Sequence, residues 1–385
     1  MLNKPCIQTF ALLSALTIPS IPVEAKVKAD FNGDGKADLI VRNVFSGALT
    51  GWLTNGTSII STPSYGTVAP KTGKVIIGIK DANGDGRSDL YWYNFNTGAV
   101  STWLIDGGTV SSKVSYGRLN RRQGWSPIGL ADFNADGKTD FFWYNAYTGE
   151  VNVWFIDGSK VLSKISYGKL PPSDGWNPIG IKDLNGDKSA DLLIYNAYTG
   201  DVGAWLINGD YLSSTVYGVV DPNQGWRLIG LEDFNGDGKY DVLGYNIYTG
   251  NISALLIDGD TILQEVGYGT LNPNTGWTLR GFSDFNGDNN TDFLWYNVYT
   301  GGTGAWLISG SNGSQSISYG TLAPKGGWTP MGLDDFNGDD NGDLLWYNAY
   351  TYATTTWLLN GNGISQSAAY GSVPSASLWQ INIPR

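Results

Sequence analysis

The 385-residue sequence carries 53 glycines, 16 tryptophans and 22 tyrosines, one cysteine and no histidine, and its formal charge is −11. So much glycine beside 41% hydrophobic and 13% aromatic residues excludes a disordered or collagen-like chain and indicates a turn-rich fold with an aromatic core. The missing histidine excludes a Ser-His-Asp or Cys-His pair and any His-ligated metal, and the acidic balance argues against a nucleic-acid partner, whose phosphates need clustered Lys and Arg.

Residues 1–25 read as a secretory signal peptide. Lys4 gives a positive start, Ile7 to Ile18 is an apolar run, Pro19 and Pro22 break it, and Val23-Glu24-Ala25 offers small residues for cleavage. Cleavage after Ala25 would remove Cys6 and leave a secreted, extracellular chain stabilised by something other than disulfides. No other stretch approaches the ~18 apolar residues needed to span a membrane.

From residue 26 to residue 385 one unit repeats. The string D-x-N-x-D-x-x-x-D begins at Asp30, Asp81, Asp132, Asp183, Asp233, Asp284 and Asp335, at spacings of 50 or 51 residues. Each unit reads as four short strands. In the third, Trp125 to Ala131 is the first strand and Asp132 to Asp140 an acidic loop. Phe141 to Tyr144 is the second strand, closed by the Asn145-Ala-Tyr-Thr-Gly149 turn. Val151 to Ile156 is the third strand, turned at Asp157-Gly158, and Val161 to Tyr167 is the fourth. The expected fold is all-β: a seven-bladed β-propeller of four-stranded antiparallel blades. A β-helix is the runner-up, but its coils are shorter.

The ends fit a closed ring. Only Lys26 to Ala29 precedes the first acidic loop, without a Trp-started strand. Leu378 to Ile383 at the other end looks like that strand, with Trp379 in the place of Trp328. N- and C-terminal strands are therefore expected to share one blade, which leaves few exposed edges. All the tryptophans fall in three columns, at the start of first strands, within second strands and within third strands. The latter two suit packing between stacked blades.

The acidic loop has the chemistry of a hard-cation site. In the first copy, side-chain oxygens fall at positions 1, 3, 5 and 9 (Asp30, Asn32, Asp34, Asp38), and the backbone carbonyl of Lys36 supplies position 7. The same positions are Asp81, Asn83, Asp85, Arg87 and Asp89 in the second copy, and Asp132, Asn134, Asp136, Lys138 and Asp140 in the third. The fourth has Asp183, Asn185, Asp187, Ser189 and Asp191, and the fifth Asp233, Asn235, Asp237, Lys239 and Asp241. The sixth has Asp284, Asn286, Asp288, Asn290 and Asp292, and the seventh Asp335, Asn337, Asp339, Asn341 and Asp343. Three carboxylates packed together repel unless neutralised, and calcium accepts 6–8 oxygens with loose geometry, so up to seven Ca2+ ions are expected, one per blade. An EF-hand is excluded, because position 12 is apolar or aromatic (Val41, Trp143). Position 6 must turn left-handed. It is glycine at Gly35, Gly86, Gly137 and Gly238 but Lys188, Asn289 and Asp340 elsewhere, so the loop at Asp183 is expected to be the weakest site.

These residues resemble the FG-GAP (VCBS-type) repeat family, whose blades build the seven-bladed head of integrin α-subunits and certain fungal lectins. The resemblance spans residues 26–385 and is most specific in the nine-residue loop. It implies calcium held by positions 1, 3, 5 and 9 and the position-7 carbonyl. The FG and GAP signatures survive only as Tyr116-Gly117 and its equivalents. The family's fold carries over, whereas its members' partners differ.

Loops alternate between the two faces of such a ring. The acidic loops and the Asp/Asn-Gly hairpins belong to one. The other presents the turn tips Phe45, Phe95, Tyr147, Tyr198, Tyr248, Tyr299 and Tyr350. Beside them lie Trp125, Trp176, Trp226, Trp277, Trp328 and Trp379, with Lys74 where the seventh tryptophan would be. Aromatic planes next to Asn and backbone amides suit sugar rings. The first functional reading is thus a multivalent, non-enzymatic lectin that binds glycans or glycoproteins, gaining avidity from repetition. The second is an adhesion module for an extracellular protein, where one deviant blade would matter more: Arg121-Arg122, Thr351-Tyr352, or Leu255 in place of tryptophan. A paired-carboxylate glycosidase is the weakest reading, because hairpin acids such as Asp106, Asp157 and Asp258 are turn formers.

Overall fold

A computed structural model describes residues 29–373 and the backbone of 379–382. The expected signal peptide, with Cys6, and the side chain of Trp379 lie outside the described residues.

Six of the sheets are four-stranded antiparallel blades with strands in sequence order, and the seventh is completed by the chain's end. The third blade runs Trp125–Ala131, Asp140–Asn145, Glu150–Ile156 and Val161–Lys169, within one or two residues of expectation. In the closing blade Trp379–Asn382 pairs antiparallel with Leu39–Asn43, Val41 opposite Ile381. Its outer strand is split into Ile59–Ser61 and Ser64–Thr67. Pro63 sits in the break, lacking the N–H a ladder needs.

Position within a blade follows from composition. The second strand, Asp140–Asn145, is buried throughout, because blades cover both of its faces. The fourth strand, such as Thr109–Arg118, is mostly exposed and forms the rim. First strands are partly exposed and contact the first strands of neighbouring blades, so they surround the centre of the ring.

Two devices lock the blades together. Where the first strand bulges in four consecutive blades, a glycine (Gly78, Gly129, Gly180, Gly230) receives an apolar side chain of the next blade. A methyl group on Gly129 would stand 2.1 Å from Ile181. In five blades the tyrosine of the outer strand's Tyr-Gly pair donates its hydroxyl hydrogen bond to the hairpin glycine carbonyl of the next blade, whereas the Tyr268 and Tyr319 hydroxyls are buried without a partner. Tyr65 reaches Gly107, Tyr116 reaches Gly158, and Tyr370 reaches Gly56 across the ring closure at 3.1 Å. The cores fill the junctions between blades. Tyr91 meets Phe141 of the next blade edge-on, 5.3 Å between centroids, while Trp92 and Trp103 pack within their own blade at 4.9 Å.

Candidate metal centres and the aromatic face

All seven acidic loops have one backbone conformation. Position 6 is left-handed in every copy, with φ near 80° at Gly35, Gly86 and Gly137, 71° at Lys188, 65° at Asn289 and 66° at Asp340. Lys188 thus makes the turn its side chain disfavours, and the case for a weak fourth site rests on strain and charge rather than on a failed turn. Position 4 is left-handed as well, at φ 77° in Gly33 and 57° in Ala135. The sequence reading missed this requirement, although glycine at position 4 in every copy but Ala135 was its signal. Tyr352 (φ 64°) occupies the place of Gly149 and its equivalents after an Asn-x-Tyr-Thr turn. Left-handed backbone costs a residue with a Cβ roughly 1 kcal/mol. Ala135→Gly, Lys188→Gly and Tyr352→Gly are therefore each expected to stabilise the fold by roughly 0.5–1 kcal/mol in denaturant unfolding, a rare direction for glycine substitutions.

Side-chain oxygens organise each loop. The position-1 carboxylate accepts the amide of position 6 in every copy, at 2.7–2.9 Å. The position-3 amide group donates to the position-5 carboxylate, as Asn32 does to Asp34 at 3.2 Å and Asn337 to Asp339 at 3.0 Å. The position-9 carboxylate is the most deeply placed. Its Oδ2 accepts the amide of position 2 and its Oδ1 the amide sixteen residues on, in the third strand. For Asp140 these are Phe133 at 3.1 Å and Ile156 at 2.9 Å. The same pair of bonds recurs around the ring from Asp38 to Asp343. One residue therefore ties the loop to the body of its blade.

The loops are also joined to one another. The position-8 amide of each donates to the position-1 carbonyl of the loop before it: Ser88 to Asp30 at 2.7 Å, Ala190 to Asp132 at 2.7 Å, and Ala37 to Asp335 at 2.8 Å across the closure. Seven such bonds make a continuous circle of acidic loops. Hairpin glycines join the same face, Gly107 donating to the Phe31 carbonyl at 2.8 Å.

The electrostatics of this circle are unfavourable without a counter-charge. The position-9 carboxylates are fully buried, and burial pushes them up to about 7 (Asp38, Asp89, Asp191, Asp241) or about 8 (Asp140, Asp292, Asp343). Backbone hydrogen bonds oppose that rise, while the position-1 and position-5 carboxylates of the same loop add to it. As oriented, the side chains do not converge: among the described residues no three carboxylate or thiolate groups stand together as a ligand set. The donor set itself is all oxygen and negatively charged, which fits a hard divalent cation and no soft one.

On the opposite face the turn tips project into solvent. Tyr147, Tyr198, Tyr248, Tyr299 and Tyr350 are 68–72% exposed and Phe45 66%. Phe95 is less so at 42%, with the Arg121 guanidinium 5.9 Å over its ring and donating to its carbonyl at 2.8 Å. Each tyrosine ring lies against the connector glycine of its own blade; a methyl on Gly124 would meet Tyr147 at 2.9 Å. The turn asparagine is consumed in building the turn: Asn145 Oδ1 accepts the amides of Tyr147 and Thr148, and its Nδ2 donates to the Gln123 carbonyl. The first-strand tryptophans sit deeper. Trp125 is buried, and Trp176, Trp277 and Trp328 are half-buried against blade cores; Trp226 is half-buried too. Lys74, standing where a tryptophan would, lies 5.0 Å from the Trp92 ring and 5.2 Å from Trp103. The tyrosines, not the tryptophans, form the accessible part of the aromatic column. Leu255 packs as a partly buried core residue.

Comparison with known proteins places this architecture. The FG-GAP-like repeat family matches residues 30–92, 81–143 and 132–194, each match running from one acidic loop through the second strand of the next blade. No curated protein matches the chain. Among solved structures, a protein from Lactobacillus plantarum is similar at a TM-score of 0.52 and 15% identity, over 90% of this chain and 99% of that one. The dihydro-heme d1 dehydrogenase NirN is similar at a TM-score of 0.51 and 11% identity, over 94% of this chain and 67% of that one. At such identities the likeness is one of fold. Among the described residues no helix is long and apolar enough to cross a membrane.

Proposed function

This chain is an FG-GAP-repeat β-propeller, and on that premise we propose that it is a secreted, calcium-loaded lectin that binds without catalysis. Calcium would be held by the carboxylates at positions 1, 5 and 9 with the position-3 amide oxygen and the position-7 carbonyl, and it would supply the positive charge the circle of loops lacks. The observation that carries the binding reading is the ring of five tyrosines, 68–72% exposed and held alike by their turns, on the face away from the acidic loops. Flat rings fixed on a rigid frame suit the C–H faces of sugars. Because the turn asparagines are occupied, polar recognition would come from groups beside the tips, such as the Thr148 hydroxyl.

A glycan array read with calcium and with chelator tests this. Binding to simple sugars is expected. Alanine at one tip, Tyr198→Ala, should weaken surface binding only a few-fold, and alanine at all five should lower it by 100-fold or more, as loss of avidity requires. A protein-recognition reading is favoured by one feature. The outer strand Tyr211–Val219 carries no charged residue and exposes Tyr211, Val216 and Val219 by 62–64%, an uncharged edge of the kind an extended partner can extend. An array without any glycan signal would favour that reading.

A further inference from the structure

Charge is unevenly spread over the aromatic face, and its cations gather in the closing blade and the blade after it, Lys74–Arg118. Residues 39–80 and 107–131 contain no Asp or Glu, and they bring Lys71, Lys74, Arg118, Arg121 and Arg122 to the connectors of this face. No ion pair joins any of these five to a carboxylate among the described residues. The carboxylates of the turns and connectors, Glu150, Asp174, Asp201 and Asp221, belong to later blades. A chain of charge −11 thus carries a cationic sector on one side of one face.

Hydrogen bonds make the sector continuous. The Nδ2 groups of Asn94 and Asn96 donate to the Thr72 carbonyl and the Phe95 amide to the Gly73 carbonyl, which ties this turn to the Lys71–Lys74 connector. From the other side Arg121 donates to the Phe95 carbonyl with its guanidinium over that ring. The Asn120 side chain accepts the Arg122 amide at 3.0 Å and fixes the arginine turn. Lys71, Arg118, Arg121 and Arg122 are exposed.

Beneath them, cations stand where other blades have aromatic rings. Lys74 holds a tryptophan position, and Arg42 the position of Tyr144. Tyr144 donates to the Leu170 carbonyl, and Arg42 Nη2 donates to the matching Val68 carbonyl at 3.3 Å. The arginine therefore keeps the structural bond and adds a charge, while its Nε is buried without a partner. Lys113 lies 3.7 Å over the same Trp103 ring that Lys74 faces. Cations gathered without carboxylates repel, and a bound anion relieves that repulsion.

We propose that this sector binds an acidic saccharide, a sugar carrying sulfate or carboxylate groups, with Lys71, Arg121 and Arg122 on the anionic groups and the Phe45 and Phe95 rings beside the sugar. The inference rests on the lectin reading and names a ligand class for two of the seven blades. Guanidinium forks match the oxygens of either group. The carboxylates of the later blades limit the favourable surface to a short oligosaccharide rather than a long polyanion crossing the face.

Calorimetric titration of the whole chain with short dextran, dextran sulfate and carboxymethyl dextran of equal length tests the proposal, with poly-glutamate as a polyanion that is not a sugar. One variant combines Arg121→Gln with Arg122→Gln. Another is Lys71→Gly, which removes an ammonium from a left-handed position (φ 66°) that glycine holds without strain. Lys325→Gln, at the corresponding connector position of another blade, is the control, and a thermal melt of each variant checks its folding. An acidic dextran is expected to bind at least tenfold more tightly than the uncharged one. It should lose tenfold or more in the double variant and a few-fold in Lys71→Gly, and be indifferent to Lys325→Gln. Preference for the sulfate or the carboxymethyl form identifies the group. Equal binding of the three dextrans, binding of none, an equal loss in Lys325→Gln, or equal binding of poly-glutamate overturns the proposal. Neutral sugars that still bind on the glycan array would then leave the lectin reading standing, whereas an array silent for neutral and acidic sugars alike removes both.

Discussion

Asp140→Ala is expected to destabilise the protein by roughly 2–6 kcal/mol even in the presence of chelator. The carboxylate is fully buried and accepts the Phe133 and Ile156 amides, one in the loop and one in the third strand. Alanine leaves both donors buried without partners, at roughly 1–3 kcal/mol each. Asp140→Asn should cost less, because one acceptor oxygen survives, although its NH2 must then face an amide. Asp136→Ala provides the contrast. That residue is exposed, and its hydrogen bonds lie within the loop, to Lys138 and Asn134. Its loss should leave chelator-treated stability within about 1 kcal/mol of the parent while weakening metal binding. Denaturant unfolding of the three variants with chelator measures this. Equal effects of Asp136→Ala and Asp140→Ala would mean that position 9 has no structural role apart from metal.

Removal of the proposed calcium is expected to be the second large effect. Each site filled at 100 times its dissociation constant would stabilise the folded chain by about 2.7 kcal/mol, so three filled sites would exceed the effect of losing Asp140. Without the ion, the pH dependence should expose the buried carboxylates. Their folded values, about 7–8, lie above the usual ~3.9 of an unfolded aspartate, so the folded state holds protons that the unfolded state releases. Stability in chelator is thus expected to be highest near pH 4 and to fall as pH rises through about 7–8. With calcium bound the carboxylates are paired, and the same scan should show little or no loss over that range. A chelated protein whose stability rises from pH 5 to pH 8 would contradict the sign.

Much of this was legible in the sequence because the repeat reports the same environment several times. The apolar run Phe141-Phe-Trp-Tyr144 announces a strand covered on both faces, and the period of the acidic loops gives the number of blades. The missing first strand before Asp30 and the spare one at Trp379 predicted the closure, and the pairing of Val41 with Ile381 matches it. What stayed hidden depends on neighbours. Position 9 looks like one more ligand in the sequence, yet its second role requires the amide of residue 156. Trp125 and Tyr147 look like equivalent aromatics of one face, but the tryptophan begins an inner strand and is buried, whereas the tyrosine caps a turn.

Positions 1, 5 and 9 of the acidic loops hold 21 of the 35 Asp and Glu residues in the sequence, and we propose that the loops form a calcium ring. The direct measurement is calcium content of the purified chain by mass spectrometry of the native protein, paired with its melting temperature before and after chelation. Several bound ions per chain, up to seven, and a melting temperature that falls by ten degrees or more on chelation and returns with added calcium, are predicted. A chain that retains no calcium at millimolar concentration and melts at the same temperature with and without chelator would contradict it.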